Sequence, residues 1–186
     1  MVATQGIQTA IGRGVSGGDV FDIADDTIEV SNSVVDTVMY EVTIPPNVLV
    51  ARSGVVITAH GDYLNNSGGA ARLQLTVDYG ETEVYRGQSA VLATDVDLRS
   101  WFMELKLLPI GGILGQRLFG MFKVSDAQTP NTGVGKPELE TISGPFGGVA
   151  SEDSSLGQPL VIKLKHDVAH ANIRWRRFLA YTEYIG

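Results

Sequence analysis

The 186-residue chain contains no cysteine. That absence excludes a disulfide scaffold, a cysteine nucleophile, a thiolate zinc site and an iron–sulfur cluster. Histidine is scarce too: with only three, an all-histidine metal centre would use every one. The longest uncharged apolar stretch, Leu107 to Leu114, is interrupted by Pro109, Gly111 and Gly112. It is far shorter than the ~20 residues a helix needs to span a bilayer. The opening Met1-Val2-Ala3-Thr4-Gln5-Gly6 has neither the charged nor the apolar region of a secretory signal. These features predict a protein assembled in a cytoplasm, without a membrane partner and without a cofactor.

Positive charge is in short supply over the first half. Residues 1–100 carry 5 basic and 13 acidic side chains, a balance of −8, and residues 101–186 carry 9 and 8, a balance of +1. An acidic surface repels phosphate backbones, which excludes generic nucleic-acid binding. Apolar residues make up 44% and charged residues 19% of the chain, which is ordinary globular composition rather than that of a disordered chain.

What is present is alternation. Val38, Tyr40, Val42 and Ile44 share one parity. So do Val55, Ile57, Ala59 and Tyr63; Leu73, Leu75, Val77 and Tyr79; Trp101, Met103, Leu105 and Leu107; and Leu160, Ile162 and Leu164. A period of two with one apolar face predicts half-buried strands. Asn65-Asn66-Ser67-Gly68-Gly69 reads as a hairpin loop, Tyr79-Gly80-Glu81-Thr82 as a tight turn, and Ile110-Gly111-Gly112 as a third break. Residues 125–158 hold six glycines and three prolines and read as long loops around a short strand near Leu139–Ile142. Helix propensity over residues 101–108 is cut off by Pro109. Eight or nine strands with almost no helix predict an all-β, antiparallel β-sandwich, jelly-roll-like first and immunoglobulin-like second. Residues 1–26, with glycines at 6, 12, 14, 17 and 18, sustain no period and read as an N-terminal arm. Residues 27–186 form the single domain.

No motif supplies catalysis. Gly14-Val15-Ser16-Gly17-Gly18 matches the spacing of a serine nucleophile elbow, but no strand leads into it and no helix follows, as that motif requires. His166 and His170 read as polar loop residues, and His60 lies on the polar parity of its strand. Asp19, Asp22, Asp25 and Asp26 do not fit the spacing of a calcium loop and read as a solvated acidic linker. Asn65-Asn66-Ser67 matches a glycosylation sequon but reads as a turn. The expectation is therefore a non-enzyme with no metal site. In Arg174-Trp175-Arg176-Arg177-Phe178, strand parity sets Arg174 and Arg176 on one side and Ile173, Trp175 and Leu179 on the other. Arginine beside aromatics is typical of interface anchors, which makes Arg174, Trp175 and Arg176 a candidate oligomer interface.

Four segments carry a family resemblance: Ile44-Pro45-Pro46-Asn47-Val48-Leu49; the run from Gly54 to Gly68 with the strand Leu73–Tyr79 after it; Arg99-Ser100-Trp101-Phe102-Met103-Glu104-Leu105; and Ala171-Asn172-Ile173-Arg174-Trp175-Arg176-Arg177-Phe178. In this order they resemble a group of tailed-bacteriophage virion proteins with a jelly-roll core. The resemblance covers most of residues 33–185. It implies a homotrimer on the virion, with no catalytic residue to carry over. Proteins of this group serve as capsid decoration (cement) proteins and as tail or fibre components; an arm joined to a compact sandwich suits docking on a shell, so the leading expectation is a decoration protein on the head surface, partnered by the major capsid protein. On that reading Ile7, Ile11, Val15, Phe21 and Ile23 of the arm dock on the shell or a neighbouring subunit. The alternative is a tail or fibre component acting as a receptor- or glycan-binding module, with the 125–158 loops and Phe146 as its ligand surface.

Overall fold

The computed structural model describes residues 18–50, 53–89, 91–125 and 139–186. Among these are eleven strands and no helix: β1 (Val20–Ala24), β2 (Ile28–Ser31), β3 (Thr37–Ile44), β4 (Gly54–Asn65), β5 (Leu73–Tyr79), β6 (Thr82–Gln88), β7 (Arg99–Pro109), β8 (Gln116–Ser125), β9 (Leu139–Ala150), β10 (Gln158–His166) and β11 (Ile173–Ile185). They form two antiparallel sheets. The larger has the order β1-β11-β4-β7-β8-β9, with β2 also paired to β11; the smaller has the order β3-β10-β5-β6. The protein is an antiparallel β-sandwich.

The chain pairs as a folded ribbon. β2 lies against β11, β3 against β10, β4 against β7 and β5 against β6. The ribbon then wraps so that β11 also joins β4 and β10 also joins β5, a jelly-roll-like winding. β8 and β9 extend the larger sheet past β7. Asn65–Gly69 is therefore not the loop of a paired hairpin, because the strands it joins, β4 and β5, belong to different sheets. Its Asn65 is buried and donates to the carbonyls of Gly69 and Leu92, so it is no accessible glycan acceptor.

Alternation explains the core. Val55, Ile57, Ala59 and Tyr63 on β4 face inward beside Leu107, Leu105, Met103 and Trp101 on β7, and meet Leu160, Ile162 and Leu164 from the other sheet in one cluster. The rings of Trp101, Trp175, Phe122 and Tyr63 pack together at its centre, with Trp101 and Trp175 stacked at 5.1 Å. Gly61 is required there, because a Cβ would stand 1.7 Å from the Arg176 carbonyl oxygen and 2.5 Å from the Trp101 ring nitrogen.

Residues 20–24 of the expected arm belong to the sheet. Val20–Ala24 pairs with β11, and Phe21 stacks on Tyr184 with ring centres 4.3 Å apart. Single apolar residues on a short edge strand give little period to read, which is why β1 and β2 escape a pattern search. β9 is also longer than expected: it runs to Ala150 and places Phe146 in a stack with Tyr85 of β6 at 4.1 Å.

Candidate functional site

The two outer faces of the sandwich differ chemically. On the smaller sheet the charges answer one another: Lys163 with Asp78 at 2.5 Å, Arg86 with Glu83 at 2.5 Å and Lys165 with Asp36 at 3.4 Å. The hydrogen bond from Lys163 to Asp78 raises the lysine pKa above its ordinary value. Most charges of this face are thus spent on one another, and Glu41 on β3 stands apart as an exposed carboxylate.

The larger sheet presents rings instead. Its pairing places side chains in rows across β7, β4 and β11. Lys106, Val56 and Glu183 form one row, Glu104, Thr58 and Tyr181 the next, and Phe102, His60 and Leu179 the third. The middle strand carries the short side chains and its neighbours the long ones. The result is a trough along β4, floored by Val56 and Thr58 and walled by Lys106 and Glu104 on one side and Glu183 and Tyr181 on the other. Val56 and Thr58 are only 9% and 5% exposed although, among the described residues, no third layer covers this face. His60 and Phe102, tilted with ring centres 5.1 Å apart, close one end, and Ile185 lines the other. The open volume is about 450 Å³, within the usual span of small-molecule sites. The walls stand two strand spacings apart, about 9–10 Å. Because every lining residue sits on a paired strand, the trough is rigid.

Beyond the His60 end, Arg176 donates to both carboxylate oxygens of Asp62, through Nε at 2.8 Å and through its terminal nitrogen, and its pKa is raised by that bond. Its guanidinium also lies 5.1 Å from the centre of the Phe178 ring. Among the described residues no group of three or more histidine, aspartate or glutamate side chains is placed to hold a metal ion.

The residues singled out from sequence fall in different places. Ile7, Ile11 and Val15 lie outside the described residues, as does Ser16. Phe21 is engaged with Tyr184, and Ile23 stands 63% exposed on the edge strand. The trio Arg174, Trp175 and Arg176 does not form one surface: Trp175 is wholly buried in the core and cannot meet a partner. The strand parity also breaks. Arg177 keeps the inward parity of Ile173 and Trp175, and a β-bulge between Arg177 and Leu179 then turns Leu179 out beside His60. The buried Arg177 donates to Asp26, both to its side chain at 2.5 Å and to its carbonyl at 2.9 Å. Asp22 accepts from Tyr40 at 2.5 Å, and the two hydroxyls of Tyr40 and Thr182 lie 2.7 Å apart. These aspartates of the expected solvated linker thus fasten β1 and β2 to the sandwich. His166 is the last residue of β10 and buried, not a loop histidine; His170 is in a turn, where its Nδ1 accepts from the Asn172 amide at 3.1 Å. Phe146 lines no loop surface, since it is held against Tyr85.

The trough itself was not singled out in the sequence. The available signal was the polar parity of β4, β7 and β11, where Phe102 and Tyr181 stand among charges on faces that would otherwise be purely hydrophilic.

No family model matches the chain, and no curated protein matches it. A solved structure, the CBM2 module of the evolved Dit of Lactobacillus casei BL23 phage J-1, aligns at 14% identity over 78% of this chain and 68% of that one, with a TM-score of 0.34. A likeness at that level fixes neither fold detail nor function.

Proposed function

We propose that this chain is a phage virion protein acting as a recognition module, and that the outer face of its larger sheet binds a saccharide without turning it over. The virion setting rests on the sequence resemblance to tailed-phage jelly-roll proteins. The observation that carries the binding role is the trough over β4. It combines the apolar Val56 on its floor, rings at His60, Phe102 and Tyr181, and hydrogen-bonding groups at Thr58, Glu104, Lys106 and Glu183. A pyranose needs this combination, because its ring presents apolar C–H faces and a polar equator, and aromatic side chains match the first while remaining compatible with water. Glu104 is occupied by Lys106 at 3.0 Å, which argues for holding a ligand rather than for delivering a proton to it.

The head-decoration reading draws its docking residues from the arm, and no described residue favours it over the recognition module. The test is a glycan array probed with the full chain and with Tyr181→Ala. Binding of a defined saccharide that is weakened tenfold or more in the variant supports the proposal. Absence of any saccharide binding, or cleavage of the bound saccharide, overturns it. A copy number near one per capsid subunit in purified virions would move the assignment to head decoration.

A further inference from the structure

Among the described residues, the trough carries one charge with no answer. Lys106 and Glu104 on the β7 wall neutralise each other at 3.0 Å. His60 comes from β4, and the β11 wall contributes only Glu183. Among the described residues, the other half-buried or buried carboxylates carried by strands all have partners: Asp22 has Tyr40, Asp62 has Arg176, Asp78 has Lys163 and Glu104 has Lys106. Glu29, Glu41 and Glu83 are exposed and need none. Glu183 is half-buried, and no described residue offers it a hydrogen bond or a cation. Glu183 therefore leaves the trough with a net negative charge, which a cationic group on a ligand would answer at close range. The Tyr181 ring lies two residues along the same strand and faces the same way, so a cation against Glu183 would also meet an aromatic neighbour.

We infer that the trough selects a saccharide bearing a free, protonated amino group, its ammonium seated against Glu183. This rests on the reading of the trough as a saccharide site. The same geometry disfavours uronic acids and other anionic sugars, whose charge would meet Glu183 directly.

The experiment is titration calorimetry of the full chain with three hexamers matched in length: a β-1,4-linked glucosamine oligomer, its fully N-acetylated form and a neutral glucose oligomer. It is run at a pH where the amine is charged, on wild type, Glu183→Gln and Glu41→Gln. Glu41 is exposed on the other sheet and reports any effect of net charge alone. The expected result is a preference of about threefold to fivefold for the free amine, lost in Glu183→Gln and kept in Glu41→Gln, in line with one solvent-accessible ion pair. Equal binding of all three oligomers, or a preference that survives in Glu183→Gln, overturns the inference and leaves the saccharide site standing. Failure of wild type to bind any of the three, when the array finds another saccharide that does bind, overturns the inference alone. Failure on the array as well overturns both.

Discussion

The indole nitrogen of Trp101 donates to the carbonyl oxygen of Arg176, 2.8 Å away on β11, across the intervening strand β4. The same nitrogen lies 3.2 Å from the Asp62 carbonyl. The bond passes over Gly61, which has no side chain to block it, and it ties three strands together behind the Arg176–Asp62 pair.

Gly61→Ala is accordingly expected to be one of the more damaging single substitutions. Its methyl group would overlap backbone oxygen and the Trp101 ring, neither of which can move without displacing the core. Overpacking of this kind costs about 1–3 kcal/mol and at times more. Chemical denaturation should show a lowered midpoint; an unchanged midpoint would mean that β11 can shift away from β4.

Tyr40→Phe should destabilise by about 1–3 kcal/mol, since it strips the partner from a wholly buried Thr182 hydroxyl and from Asp22. Burial and the Asp22 hydrogen bond also hold the Tyr40 phenol protonated far above its ordinary range. Absorbance titration should therefore find one fewer late-ionising tyrosine in the variant.

Asp26→Ala removes the carboxylate from a guanidinium that is 1% exposed, while the Asp26 carbonyl remains to receive it. A loss of about 1–3 kcal/mol is expected, below the full cost of stripping a buried charge of every partner. Hydrogen exchange should speed up first in β1 and β2, which Arg177 joins to the sheet. Uniform acceleration over both sheets would contradict that placement.

His166 makes stability depend on pH near neutrality. The ring is buried, and that burial pushes its pKa below the ordinary 6.5, against smaller opposing effects of the Ser33 backbone and Asp167. The unfolded chain then takes up a proton at a higher pH than the folded one. Stability is full above about pH 6.5 and declines as pH falls from there towards the folded value. The urea midpoint should be lower at pH 5.5 than at pH 7.5, and His166→Phe should reduce that difference. An identical difference in the variant would place the dependence elsewhere.

Tyr79 offers a spectroscopic check on the core. Desolvation raises its phenol to about 12, helped by Glu152. Glu152→Gln should lower that ionisation slightly, read as an earlier rise in absorbance. No change would remove Glu152 as a contributor.

Much of the sandwich is legible along the chain because its strands are half-buried. Val55, Ile57, Ala59 and Tyr63, or Leu73, Leu75, Val77 and Tyr79, announce an inner face by parity alone, and the structure buries every one. The breaks at Gly80 and at Gly111–Gly112 follow from the left-handed backbone those turns demand, with φ of +62°, +76° and +129°. The 65–69 loop looked like a hairpin because local chemistry marks a turn without saying which sheet the next strand joins. Leu179 defeated parity because a bulge inserts a residue that only the pairing of Arg177 with Gly61 and of Leu179 with His60 reveals.

Local alternation and turn chemistry therefore decide, from the residues alone, that this protein is antiparallel β and which side of most strands faces the core. The trough is another matter. Lys106, Val56 and Glu183 stand 50 to 127 positions apart, and nothing local relates them. They become neighbours only when β7, β4 and β11 lie side by side in register. Parity is a property of one strand, whereas a binding surface is a property of several strands aligned, and that alignment is set by non-local packing of the finished sandwich.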